Sequence, residues 1–140
     1  MNKEIELVKK YFHLVETFHT DSQAYEEILH PNVIQTEYPN LVTPQIKSRS
    51  RDGLMNGAKA GKQLLSSQKF EIIGILAGPG HLTVELQWHG TVAVDVGPFT
   101  KEQQLMAYIC TIFEFKDGKI FRQRNYDCYE PFKTGAKSAK

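Results

Sequence analysis

The sequence predicts an α+β fold in which helices pack on a curved, antiparallel sheet, and three observations lead there. Apolar residues recur at helical spacing in the first half, and alternating segments separated by glycine turns fill the second. Residues 103–130 read as one long hairpin. Its arms, QQLMAYICTIFEF and KIFRQRNYDCYE, flank the turn pair Asp117-Gly118, where glycine tolerates the positive φ of a tight hairpin turn. Arms of about twelve residues reach roughly 40 Å. A ribbon of that length must curve and bury its apolar face, and the helical half is the available partner.

The bulk composition narrows the function classes. At 140 residues the chain can bury a core without disulfides, and a formal charge of +1 gives no pull toward nucleic acid or an acidic membrane. Met1 leads into a charged amphipathic segment without an apolar leader, which points to a reduced, cytoplasmic protein. Cys110 and Cys128 fall on the two hairpin arms. With Lys116 facing Lys119, Cys110 opposes Asn125, which argues against a disulfide. One domain is expected over residues 1–132, followed by a disordered basic tail over 133–140 that carries Lys133, Lys137 and Lys140.

The elements follow in order. Residues 3–19 predict a helix whose apolar arc combines Ile5, Val8, Phe12 and Val15 with Leu7, Tyr11, Leu14 and Phe18. Thr20 and Gln23 stand at capping-box spacing, and the short helix they open stops at His30-Pro31. Val33–Tyr38 is a short strand with Gln35 and Glu37 on one face. A loop over Pro39–Arg51 is long enough to suggest a lid or a partner contact. Asp52 caps a third helix through Leu54, Met55, Ala58 and Leu65. Strands are expected at Lys69–Leu76 and His81–Val94, joined by Gly78-Pro79-Gly80, and the hairpin completes a four-stranded meander.

Familiar catalytic motifs are missing. Gly78-Pro79-Gly80 precedes no phosphate-cradling helix, and the histidines and cysteines have no metal-ligand spacing. Polar residues that share a strand face are the better signal. Thr83, Glu85, Gln87, His89 and Thr91 form one row, and Gln123, Asn125, Asp127 and Tyr129 another. Two readings stand for such a row: the solvated face of a sheet, or the lining of a pocket. The first hairpin arm has no plainly wet face, with Tyr108, Cys110 and Ile112 on one side and Ile109, Thr111 and Phe113 on the other.

These residues carry a resemblance. The helix stop Leu29-His30-Pro31-Asn32-Val33, the segment Trp88-His89-Gly90 and above all FEFKDGKIFRQRNY from Phe113 to Tyr126 are similar to the SnoaL-like branch of the nuclear transport factor 2-like superfamily, over about residues 5–132. The resemblance implies an NTF2-like cone, with three N-terminal helices packed on a strongly curved, mostly antiparallel sheet around a central pocket, and a homodimer formed through the sheet. It implies a protein that binds a small hydrophobic or carbonyl-bearing molecule without a cofactor or metal. An enzyme of this kind would be an isomerase, cyclase, dehydratase or hydrolase, and a non-enzymatic relative would contact proteins through the exposed sheet.

Carried over residue by residue, the resemblance places Glu37 at the isomerases' catalytic base and Tyr11 close to their helix tyrosine, with Thr111 near the position of the partner acid. Asn125 stands where cyclases and epoxide hydrolases keep an aspartate, and Glu85 and Gln87 where the latter have Arg-x-Asp. The candidate catalytic residues are therefore Glu37 or Asp127 as general base, with Tyr11. The candidate ligand contacts are Asn125, Glu85, Gln87, His89, Cys110 and Tyr108. A carboxylate in an apolar pocket has its pKa raised by desolvation, which suits it to accept a proton near neutrality.

Overall fold

Helix α1 (Asn2–Glu16) turns the predicted apolar arc onto the sheet and buries Val8, Tyr11, Phe12 and Leu14. Each such side chain contributes about 1.5–3 kcal/mol when removed from water. The computed structural model describes residues 2–132, so the tail expected over 133–140 lies outside the described residues. The helix stops three residues before the predicted end because Phe18 adopts φ 56°, and the amides of Phe18 and His19 bond back to Val15 and Leu14. That bonding pattern is a Schellman cap, in which glycine usually takes the left-handed position.

Helix α2 (Ser22–Ile28) is capped by Asp21, whose side chain accepts from the Gln23 amide at 3.1 Å, rather than by Thr20. The chain then enters strand β1 (Leu29–Glu37) directly, earlier than predicted. Pro31 falls where the pairing of β1 shifts register between Leu29 and Ile34, a place where a missing amide does little harm. The expected loop contains a three-residue strand, β2 (Lys47–Arg49), paired antiparallel with β1. Helix α3 (Arg51–Leu64) is capped by Ser50 rather than Asp52, since the Ser50 hydroxyl accepts from the Gly53 amide at 3.3 Å.

Strands β3 (Leu65–Gly78), β4 (His81–Val92), β5 (Gln104–Lys116) and β6 (Lys119–Tyr129) form the predicted meander, with β3 longer than its sequence pattern suggested. At the β5–β6 turn Asp117 and Gly118 have φ of 54° and 74°, the pair of positive values that a type I′ hairpin requires. Lys116 faces Lys119 as expected, but the register shifts between Glu114 and Phe115. Cys110 therefore opposes Tyr126, not Asn125, and both cysteines are free thiols.

The expected cone with a strongly curved sheet does not form. The six strands make one mixed sheet in the order β2-β1-β6-β5-β4-β3, with β1 parallel to β6, and this sheet is neither strongly curved nor closed. Closure would require β2 to pair with β3. With three residues β2 offers too little backbone, and α3 lies between the two in the chain. The apolar density that suggested wrapping is met instead by α1 and by aromatic edge contacts among Tyr11, Phe12 and Phe113. Among the described residues no helix is long and apolar enough to cross a membrane.

Candidate active site

A cavity of about 800 Å³ lies between α1, α3 and one face of the sheet. Register explains its floor. Across β1, β6 and β5 one row runs Gln35, Gln123, Phe113, and the next runs Glu37, Asn125, Thr111. Asp127 follows, opposite Ile109. Most polar residues thus come from β1 and β6, with Thr111 from β5, while β4 and β5 supply apolar neighbours such as Trp88 and Ile109. Tyr11 reaches the floor from α1, and Phe12 and Phe70 line the cavity beside it. No residue of α3 is fully buried, because its inward face, with Leu54, Gly57, Gly61 and Leu64, borders the cavity rather than a packed core.

The predicted site residues divide between the two sheet faces. Glu37, Asp127, Tyr11 and Asn125 meet in the cavity. Strand alternation sends Glu85, Gln87 and His89 of β4, and Tyr108 and Cys110 of β5, to the opposite face, where Glu85 pairs with Cys110 and Gln87 with Tyr108. Glu85, His89 and Tyr108 are exposed there, and burial together with the Glu85 charge pushes the Cys110 thiol up.

The two acids of the floor are held differently. Glu37 is 8% exposed, and both of its oxygens are occupied. Arg49 Nη2 donates to Oε1 at 2.9 Å, and Asn40 Nδ2 donates to Oε2 at 2.9 Å. Burial pushes the Glu37 carboxyl up, but hydrogen bonds from Asn40, Thr43 and Arg49, with the Arg49 charge, outweigh it and leave the pKa below the usual carboxylate value. Asp127 has no such company. Its Oδ1 is buried without a hydrogen-bond partner among the described residues. Burial, reinforced by the Glu37 charge and only partly opposed by Arg49, raises its pKa to about 6.

Around these acids lies a set of amides and hydroxyls. Gln35 Nε2 donates to the Tyr11 phenol oxygen at 3.2 Å, and Gln123 Nε2 lies 3.4 Å from the same oxygen. Gln123 also donates to Asn125 Oδ1 at 3.2 Å. Burial raises the Tyr11 pKa, so the phenol keeps its proton. The hydroxyl of Thr111, which is fully buried, and the carbonyl oxygen of Gln123, 1% exposed, have no partner among the described residues. Such groups are costly to bury unless something in the cavity meets them.

Sequence reasoning missed Arg49, the residue that organises one end of the floor. It stands in a stretch that reads as loop, and its placement follows from the short β1–β2 pairing that sets Arg49 opposite Gln35. Gln35 and Gln123 were visible as members of polar rows, without anything to mark them as paired through Tyr11.

Comparison with solved structures gives the same arrangement of elements. IdmH from Streptomyces antibioticus, a candidate polyketide cyclase, superposes with a TM-score of 0.73 at 11% identity, covering 89% of this chain and 91% of that one. A candidate SnoaL-like polyketide cyclase from Jannaschia sp. CCS1 gives 0.71 at 14% identity, covering 90% and 85%. An LEH-like epoxide hydrolase from M. tuberculosis gives 0.64 at 16% identity, covering 92% and 84%. At these identities the likeness is one of fold. The search of curated proteins returned no match. The family itself is settled by sequence: the SnoaL-like domain model matches residues 8–123, and the chain belongs to that family.

Proposed function

We propose that the cavity takes up a small molecule with an apolar body and a carbonyl group, and that Asp127 removes a proton from the carbon beside that carbonyl. The observation that supports this most is the contrast between Asp127, whose Oδ1 is buried without a partner among the described residues and whose pKa is raised to about 6, and a neighbouring Glu37 kept ionised by Arg49. When two acids in one site are driven apart in this way, the one with the raised pKa is the better proton carrier near neutrality.

In this mechanism the C–H bond breaks, its proton passes to Asp127, and the electron pair moves onto the carbonyl oxygen. Tyr11 O–H and Asn125 Nδ2 are the donors on hand for that oxygen. Return of the proton to another carbon gives isomerisation, and attack of the carbanion on a second carbonyl gives ring closure. Phe12, Phe70, Trp88 and Ile109 form the apolar wall. Because Glu37 neutralises Arg49, the charge of Asp127 is unbalanced, and the floor favours an uncharged substrate over a carboxylate or phosphate.

Hydrogen–deuterium exchange at the α-carbon of a panel of cyclic and aryl ketones in D₂O, followed by proton NMR, tests the proposal without knowledge of the product. The expected result is exchange above the buffer rate with at least one ketone, reduced by about 10²–10⁴-fold in Asp127→Asn. Exchange no faster than in buffer across the panel, or undiminished in that variant, would contradict it.

A further inference from the structure

The hydrogen bonds behind the cavity floor run in one direction, and their direction is decided by Arg49. A guanidinium has donors only. Arg49 Nη1 lies 3.0 Å from one end of the Gln35 amide, so that end must be the oxygen, and the amide nitrogen is thereby turned toward Tyr11 at 3.2 Å. An amide NH₂ accepts nothing, so the Tyr11 oxygen must be the acceptor in that contact. Arg49 is itself fixed by Glu37, whose Oε1 takes Nη2 at 2.9 Å.

The second amide on Tyr11 acts in the same sense. Gln123 Nε2 lies 3.4 Å from the phenol oxygen and 3.2 Å from Asn125 Oδ1. Turned over, this amide would set its oxygen against Asn125 Oδ1. With Asn125 Oδ1 facing Gln123, both amide nitrogens are directed at the Tyr11 oxygen, and the Gln35 contact is the one that Arg49 fixes. Its own proton has no acceptor among the described residues, and the side chain lines the cavity.

We infer that Arg49 is a positioning residue: through Gln35 it orients the Tyr11 phenol so that its proton is offered to whatever occupies the cavity. Two donors on the phenol oxygen strengthen the bond that this proton then makes, because hydrogen bonds in a chain polarise one another. The use of the proton on a carbonyl oxygen rests on the function proposed above. Its direction does not.

The direction can be read without substrate from the tyrosine ring doublet in ultraviolet Raman difference spectra taken against Tyr11→Phe, whose two members exchange intensity as a phenol passes from accepting to donating. In the wild type the higher-frequency member should be the stronger. Gln35→Glu replaces the donor amide with a carboxylate that can only accept, and should reverse the order. Arg49→Met frees the Gln35 amide to turn and should lower the same ratio, while Arg49→Lys, which keeps a donor, should restore it. Circular dichroism checks that each variant folds, and Gln35→Glu decides alone if Arg49→Met does not. A wild-type doublet already in the donating order, or one unmoved by Gln35→Glu or by a folded Arg49→Met, overturns the inference. If the doublet behaves as expected and no ketone exchanges, the relay stands and the carbonyl chemistry falls.

Discussion

Glu37 and Asp127 occupy the two ends of one polar floor, yet the fold treats them in opposite ways. The Glu37 end is finished: Arg49 and Asn40 meet its oxygens at 2.9 Å, and Asn40 is in turn held by the amides of Val42 and Thr43 at 2.9 and 2.8 Å. The Asp127 end is unfinished, with a buried oxygen that nothing in the described chain meets. Burial alone raises a carboxyl pKa, and what separates the two residues is the company each keeps. One acid belongs to the architecture, and the other is free for the proton transfer proposed above.

Damage at the two ends should therefore look different. The largest effect on the molecule is expected at Glu37. Glu37→Gln strands a mostly buried Arg49 without its counter-charge and should destabilise the fold by about 3–5 kcal/mol in urea denaturation at neutral pH. Asp127→Asn should do the reverse, losing proton transfer while the fold becomes more stable. With a native pKa near 6 against an ordinary 3.8, the folded protein binds more protons than the unfolded chain between those values. Wild-type stability should therefore fall as pH rises from about 4 to about 6, by roughly 2–3 kcal/mol, and stay reduced above. Asp127→Asn removes that slope, so its advantage should appear above pH 6 and vanish near pH 4.

Glu37 contributes with the other sign. Its lowered pKa supplies stability that is present above 4.5 and is lost as pH falls through the native value. In Glu37→Gln the acid limb of the pH–stability curve should flatten, which a series of melts below pH 5 would show. The smallest effects are expected on the outer sheet face. Glu85→Ala and His89→Ala should each change stability by less than about 0.5 kcal/mol and leave ketone exchange unaltered, since both side chains are exposed and point away from the cavity.

Much of this was legible in the chain. The Asp117-Gly118 turn, the meander and the face alternation of β4 follow from local chemistry, and Gln123, Asn125, Asp127 and Tyr129 were read correctly as one row. What period two could not say was which polar row faces the helices. The β6 row does and the β4 row does not, because Leu82, Val84 and Leu86 of β4 take the inner face. The one-residue shift near Phe115 moved Cys110 away from Asn125, and no residue in the hairpin announces that bulge. Arg49 was illegible for a related reason: three residues of β2 carry no periodicity, and only the pairing with β1 brings a loop arginine to Glu37. The closed cone expected from resemblance failed on the same short strand, which leaves the sheet open at β2.

The chemistry of the floor turns on one contrast: the pKa of Asp127, a largely buried carboxyl, is raised out of its ordinary range, while that of Glu37 beside it is lowered. Carbon-13 NMR of the side-chain carboxyls, with Asp127 assigned by its absence in Asp127→Asn, measures it directly across pH 3–8. Asp127 should titrate with a midpoint near 6 and Glu37 with one below 4.5. An Asp127 midpoint near 4 would mean that the floor does not hold a poised acid, and the proposed chemistry would lose its base.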